Sequence, residues 1–443
     1  MTLKKIKNGL LPLAIGAAML CHVPHASALG LMQAYEAALK NDPVYRAAYY
    51  SGEAGKENRI LGRSNLLPSI SGNYSRSKNN STLEVADKEF PQKYFSRNAT
   101  VSVRQSIFNM DGYARYKQGV AQSAYAAAQF DSQSQEVIMR VLSSYLEVLF
   151  KEDQLALAKV ERDVYVEQKA VNELLFKKGE GTRTDVLETQ SRLDLAEASL
   201  LEAQDNLTAT RDTLAGVIGM EPGELDHLRP GFRVAARDTQ SFEEWKKIAM
   251  EQNPDIRTLT EGVEIAKQEV NKQRAGHLPR VDFIGTYGKS GSESITTVNQ
   301  DQTIRSVGFQ MNIPIYSGGA VSASTRQAAA NKEKAREDLE AQVDKVLVDL
   351  RKNYNQVASS VPKIDALMKA VDSAKLLITA TEQSIKGGVR INLDLLNAQR
   401  QLYTAQRDLA NARYAYMISA LRLRASAGTL SVEDLRMMAA YFE

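Results

Sequence analysis

Cysteine is nearly missing from this 443-residue sequence: Cys21 is the only one. It sits in an N-terminal basic-then-apolar stretch, so the remaining chain can use neither disulfides nor thiolate metal sites. Tryptophan occurs once, at Trp245, and aromatic residues make up 7%. So low a content argues against an aromatic-rich globular α/β enzyme, whereas abundant Ala, Gln, Leu and charged residues suit long helices. Beyond the N-terminus no run of about 20 apolar residues exists, which excludes a membrane-spanning helix. Of four histidines only His227 and His277 lie past residue 28, and they are far apart. There is no H-x-x-x-H, no G-x-S-x-G and no phosphate-binding glycine loop, and Gly318-Gly319 reads as a turn. No catalysis, cofactor or metal is expected, and Trp245 reads as a packing residue.

The N-terminus reads as a secretory signal over residues 1–28. Lys4, Lys5 and Lys7 precede the apolar run Leu10 to Leu20, and Ala26-Ser27-Ala28 is an A-x-A cleavage site. A lipid-modified Cys21 is disfavoured because bulky Leu20 precedes it. The first 28 residues carry three Lys and no acid, so their removal leaves 53 basic against 53 acidic residues. That balance gives no nucleic-acid signature. A periplasmic, secreted or outer-membrane destination follows.

The plan of the rest is set near the C-terminus. Leu395, Leu402, Leu409, Tyr416 and Leu423 recur every seven residues, and Ala398, Ala405, Ala412 and Ser419 form a second, small stripe. Such a repeat keeps one seam along a long helix. The device recurs 209 residues earlier, with Val186, Leu193, Leu200, Leu207 and Leu214 beside Thr189, Ala196, Ala203 and Thr210. The chain is therefore internally duplicated, with a first repeat at 29–240 and a second at 241–443.

Each repeat opens with a short amphipathic helix ending at Pro43 or Pro254, then a second helix up to Leu67-Pro68 or Leu278-Pro279. The period then changes to two. Ile70, Gly72 and Tyr74, and Ala99, Val101, Val103 and Ile107, alternate with polar residues. So do Val281, Phe283, Gly285 and Tyr287, and Val307, Phe309, Met311, Ile313 and Ile315. Two hairpins, four strands in all, are expected at about 67–109 and 278–317, with polar loops at about 78–93 and 290–302. The alternation fits a soluble antiparallel sheet or a transmembrane barrel, apolar toward lipid and polar toward a lumen.

Long helices are expected at 113–178 and 320–386, each roughly 100 Å at 1.5 Å per residue, with Pro362 a point of distortion in the second. Glycine turns lead to return helices at 182–218 and 389–427. These are too short to cover the long helices alone. Stacked end to end with the helices before the strands, they match. The remaining segments would belt the middle. Four strands cannot close a barrel, and open edges are not viable in lipid. Three copies would supply twelve strands and a ring of twelve helical columns.

The chain resembles the TolC family of outer-membrane channel-tunnels over essentially all of its mature length. The resemblance is carried by DLLNAQRQLYTAQRDLANARYAYMISALRLRASAGTLSVEDL from Asp394 to Leu435, by GTRTDVLETQSRLDLAEASLLEAQ from Gly181 to Gln204, and by the Leu-Pro and Ile-Phe/Ile-Tyr hairpin borders. It implies a homotrimer in the cell outer membrane: a 12-stranded β-barrel continued by a periplasmic α-helical barrel. It also implies docking to a periplasmic adaptor (membrane fusion) protein and an inner-membrane ABC transporter, or a proton-driven pump. The unlipidated N-terminus and brief C-terminal tail resemble the branch that exports proteins in one step (type I secretion). Multidrug efflux is the alternative, and a soluble periplasmic coiled-coil scaffold or adaptor a further one. At the tip the resemblance implies a gate at Thr184, Asp185 and Arg390, and a lumen constriction at Asp394 with Asn397 in a second, here neutral, ring. Ile385 replaces an aromatic hydroxyl of the family network. From the residues alone, Asp185 also reads as an early-turn acid at a helix start, and Arg390 and Asp394 as an i, i+4 pair on one helix.

Overall fold

The computed structural model describes residues 28–229, 232, 240–293 and 299–443. The expected signal segment lies outside the described residues, apart from Ala28. In chain order the elements are α1 (Leu31–Asn41), α2 (Pro43–Ser64), β1 (Ser69–Val85), β2 (Lys88–Phe108), α3 (Met110–Lys178), α4 (Arg183–Ile218), α5 (Phe242–Gln252) and α6 (Pro254–Arg274). They continue with β3 (Arg280–Ser292), β4 (Gln300–Asn312), α7 (Ala320–Lys386), α8 (Asn392–Ala427) and α9 (Val432–Ala439).

The two long helices have 69 and 67 residues. Each is therefore about 100 Å long. α7 runs unbroken through Pro362. The partners stack as their lengths require. α2 lies on the first half of α3, where Gly62 and Gly119 approach so closely that a Cβ on Gly119 would stand 2.3 Å from the Asn58 carbonyl. α4 covers the other end, with Arg211 reaching Glu152 and Thr189 reaching Asn172. The heptad residues face inward: Leu193, Leu214, Leu395, Leu409 and Leu423 are buried, and the others are half-buried.

At mid-rod α1, the segment after α4 and the C-terminal tail join one core, and α5 packs in a second. Leu31, Ala34, Tyr35 and Ala38 of α1 meet Val141, Leu142, Tyr145, Leu146 and Leu149 of α3, with Met417, Leu421 and Leu435. Leu29 bridges Leu225, and Leu228 bridges Phe442. Trp245 is a packing residue, as its place on an amphipathic helix suggested, buried with Ala249, Val346, Leu350 and Leu423.

Next to this core Tyr414 Oη donates to Asp153 at 2.8 Å. Burial raises the Asp153 carboxyl above its ordinary value, an effect eased by that hydrogen bond and by nearby His227 and Arg413. The folded state therefore holds the proton to higher pH than the unfolded chain, so this group's contribution to stability falls as pH rises through the raised value. Asp153→Asn keeps an acceptor for Tyr414 and removes the buried charge. Thermal melts should show a gain in stability above that window that disappears at pH below the ordinary aspartate value. An equal gain at every pH would contradict the assignment.

The four strands form one antiparallel sheet in the order β1-β2-β3-β4. Its first hairpin is longer than expected. The stretch at 78–93 is strand rather than loop: β1 and β2 pair continuously from Ser69↔Arg104 to Val85↔Lys88. The turn is only Ala86-Asp87, both at positive φ, the two-residue geometry that matches strand twist. The second hairpin is shorter, 13 residues in each strand. The expected loop at 290–302 narrows to 293–299, of which 294–298 lie outside the described residues.

Candidate channel wall and tip

Alternation along paired strands gives the sheet two chemically distinct faces. One face carries Ile70, Gly72 and Tyr74 of β1; Ala99, Val101 and Val103 of β2; Val281, Phe283, Gly285 and Tyr287 of β3; and Val307, Phe309 and Met311 of β4. The other carries Ser71, Asn73 and Ser75 opposite Ser102, Thr100 and Asn98, then Thr286 and Ser290 opposite Ser306 and Gln302. Ser71 and Ser102 share a 2.8 Å hydrogen bond across the strands. Hydroxyl and amide groups of this kind suit water on one side, and the apolar face suits lipid on the other.

Charge on the polar face gathers at the end nearest the helices. There Asp282 is buried, accepting from Ser106 Oγ at 2.7 Å and from Arg280 at 3.0 Å, with Arg104 at 3.9 Å. The register of β2 on β3 shifts at Ser106/Phe108 beside it. This cluster ties the strand bases together. Sequence reading missed it because Asp282 appears there only as a polar member of an alternating strand.

The opposite end of the rods holds the predicted tip residues. α3 closes with Gly179 at φ +80°, and the Glu180 N–H returns to the Leu175 carbonyl at 2.9 Å, a glycine-dependent helix stop. α4 then starts with a reciprocal cap: the Asp185 N–H donates to Thr182 Oγ1 at 3.1 Å, and Asp185 Oδ2 accepts from the Thr182 N–H at 3.1 Å and its hydroxyl at 2.5 Å. Asp185 is thus engaged within its own helix start. Thr184 beside it is exposed.

The second turn is built differently. Gly388 takes φ +72°, and the Val389 N–H reaches the Ser384 carbonyl at 2.9 Å. α8 begins at Asn392 after Ile391, which offers no capping side chain. The return helix therefore starts three residues later than the expected 389. Arg390 lies in the turn, so it and Asp394 are not an i, i+4 pair on one helix. Without an oxygen at 391, Asp394 has no cap to join although it matches Asp185. Within one protomer Arg390 is exposed and Asp394 half-buried. Neither is in an ion pair among the described residues. Asn397 accepts a long, 3.4 Å bond from Arg192 of α4. The structure does not bring Asp185 and Arg390 of one copy together.

What it does bring together, within the first helical hairpin and from it to the second, was not anticipated. Asn172, 4% exposed, donates to buried Thr189 at 2.7 Å, and Gln168 of α3 donates to Asn392 of α8 at 2.8 Å. Buried polar groups of this kind hold neighbouring coils in one register, because a slip would leave them unpaired. The available signal was Thr189 in the small stripe, and a polar residue, Thr381, 209 positions after Asn172. Among the described residues no helix is long and apolar enough to cross a membrane, and no cluster of His, Cys, Asp and Glu could hold a metal.

Comparison with known proteins agrees with this architecture. The family model described as "Outer membrane efflux protein" matches residues 34–220 and 245–429. The alkaline protease secretion protein AprF of Pseudomonas aeruginosa is 40% identical over 448 aligned residues, covering 100% of this chain and 92% of that protein. The outer membrane protein TolC of Vibrio cholerae is 31% identical, covering 96% and 97%. The solved outer-membrane channel OprN superposes with a TM-score of 0.78 at 19% identity, covering 90% of each chain. With a family model spanning both repeats and full-length relatives of this identity, the chain belongs to the outer membrane efflux protein family, the family of TolC.

Proposed function

We propose that three copies of this chain close into an outer-membrane duct that exports a protein cargo, in the manner of type I secretion. The carrying observation is the open sheet. β1 and β4 are both edges, and all thirteen residues of β4 are exposed. β1 leaves the helices and β4 returns to them, so β4 of one copy meets β1 of the next antiparallel. Three copies give twelve strands, with neutral hydroxyls and amides lining the bore beyond the charged cluster at its helix end. Large apolar side chains also project from the rods, among them Leu195, Leu201, Val348 and Leu376, each more than 60% exposed. Neighbouring rods in a ring would cover them.

Protein cargo is favoured by AprF, a protease secretion protein by name and alike along this whole chain. A periplasmic adaptor and an inner-membrane ABC transporter would dock at the tip and feed the bore; a drug-efflux role with a proton-driven pump is the second reading. Deleting the gene and profiling the culture medium separates them. Loss of a secreted protein with unchanged drug tolerance supports the first reading. An unchanged medium with lowered tolerance sinks it. The repeat boundary near residue 240 fits this plan, with each repeat supplying one hairpin of strands and one of helices.

At the tip, Arg390 of one copy is proposed to latch onto Asp185 and Thr184 of its neighbour, above a ring of Asp394 and a neutral ring of Asn397. An exposed ion pair contributes about 0.2–1 kcal/mol. Three such pairs bias the gate by roughly 3- to 150-fold, enough to hold it yet weak enough for an adaptor to open. Arg390→Ser should raise mean single-channel conductance in lipid bilayers. Thr182→Ala, which removes only the helix cap, should not. Equal behaviour of the two variants would remove the latch.

A further inference from the structure

Each strand leaves its apolar stripe through a basic residue, always at the end away from the helices. Outward along β1, Tyr74 is followed on the same face by Arg76. On β2, Ala99 is followed by Arg97; on β3, Tyr287 by Lys289; on β4, Val307 by Arg305. All four are exposed. The helix-proximal ends show no such residue and finish on Ile107, Ile313 and Ile315.

In a tilted barrel these cations would share one level. Register pairs Arg76 with Arg97, Ala99 with Lys289, and Tyr287 with Arg305, so the basic position steps back two side-chain rows from β1 to β4. In a barrel with strands about 4.8 Å apart and tilted by about 45°, paired residues rise by about 3.4 Å per strand from β1 to β4, against a vertical row spacing of about 4.8 Å. Three strand steps thus offset about two rows, and the sloping series becomes a level belt. The lower edge of the apolar stripes descends in the same sense, from Ile70 on β1 to Ile313 after β4.

The belt has aromatic support and a net positive charge. Arg76 stands over the Phe95 ring at 5.0 Å from its centroid, and Arg305 over Tyr287 at 5.7 Å. Arg97 pairs with Asp301 at 2.7 Å, with both side chains still largely exposed. One row further out Lys78 and Glu293 offset each other. Tyr74, Arg97, Lys289 and Asp301 border a shallow cleft on this face.

We propose that this belt binds a phosphate-bearing lipid of the outer leaflet. Guanidinium forks and the Lys289 ammonium take the phosphate oxygens, while acyl chains lie on the apolar stripe beneath. The proposal rests on the sheet crossing the outer membrane with its turns outside. That premise is checked separately by recovery of a heat-dissociable oligomer from the outer-membrane fraction.

The test uses the purified detergent-solubilised oligomer and reads its dissociation temperature on gels as bisphosphorylated lipid A is added. The wild type should be stabilised in a saturable way. Dephosphorylated lipid A, phosphatidylcholine and inorganic phosphate should have no effect. The variant Arg76→Gln/Arg97→Gln/Lys289→Gln/Arg305→Gln should lose the response. If it does not assemble, Lys289→Gln and Arg305→Gln alone should each raise the half-effective lipid concentration about fivefold, the factor one cation contributes at an anionic surface. Unchanged half-effective concentrations in the variants, equal stabilisation by dephosphorylated lipid A, or full stabilisation by inorganic phosphate would overturn it.

Discussion

Phe309→Arg should abolish assembly in the outer membrane, whereas Ser306→Arg, three residues away on the same strand, should leave it intact. Phe309 lies on the apolar face of β4, edge-on to Phe283 with centroids 5.6 Å apart. Ser306 lies on the polar face opposite Thr286. An arginine facing lipid near mid-membrane costs roughly 2–4 kcal/mol, so three copies lose about 6–12 kcal/mol in one oligomer. That is comparable to the whole stability of an ordinary domain. An arginine facing the bore stays hydrated and adds three charges to the passage. Heat-modifiable gel mobility of the membrane fraction reads assembly, and bilayer recordings read the bore. Phe309→Arg should leave no membrane oligomer, and Ser306→Arg should form oligomers with altered ion selectivity. Equal insertion of both would show that the sheet does not meet lipid, and the reverse result would swap the faces.

The second large effect is expected at mid-rod. The Asp42 side chain is 4% exposed and ion-pairs with Arg140 of α3, itself 27% exposed. Asp42 also caps α2, accepting from the Val44 N–H at 2.9 Å. Arg140→Leu leaves that carboxylate buried without its partner, a loss of about 3–5 kcal/mol. The melting temperature should fall by roughly 5–15 °C. Asp42→Asn added to Arg140→Leu should restore most of it, because the amide still caps the helix and carries no charge. The second repeat already contains that solution. Asn253, 211 positions on, accepts from the Asp255 and Ile256 N–H groups at 2.9 and 3.1 Å and donates to the Ser426 carbonyl at 2.9 Å. No rescue by the double variant would mean that Arg140 acts through packing.

Much of this architecture is legible in the chain because it follows from short-range rules. Apolar period seven or two, glycine at a left-handed helix stop, and Pro after a helix all act within a few residues. The duplication compounds them by stating each rule twice. Hence the helix ends at Lys178 and Lys386, four strands, and buried heptad positions such as Leu193 and Leu409. The same locality caused the errors. The 78–93 stretch reads as loop because both its faces meet water, so the chain shows no alternation there. Only pairing between β1 and β2 makes it strand. Residues 389–391 read as helix because the heptads run close to them, but Gly388 and the uncapped Ile391 delay the start and leave Arg390 in the turn.

The sequence by itself determined the duplicated plan of long rods and two-faced strands, because periodicity is a property of neighbours along the chain. Tertiary structure decided which polar groups are paired. The Asp42–Arg140 pair spans 98 residues, Ser106–Asp282 spans 176 and Gln168–Asn392 spans 224. Such partners are chosen by proximity in a packed interior, where an unpaired polar group is costly. The single-protomer geometry also revealed Asp185 at work as a helix cap, and the strand register placed a cation at the outer end of each of four neighbouring apolar stripes.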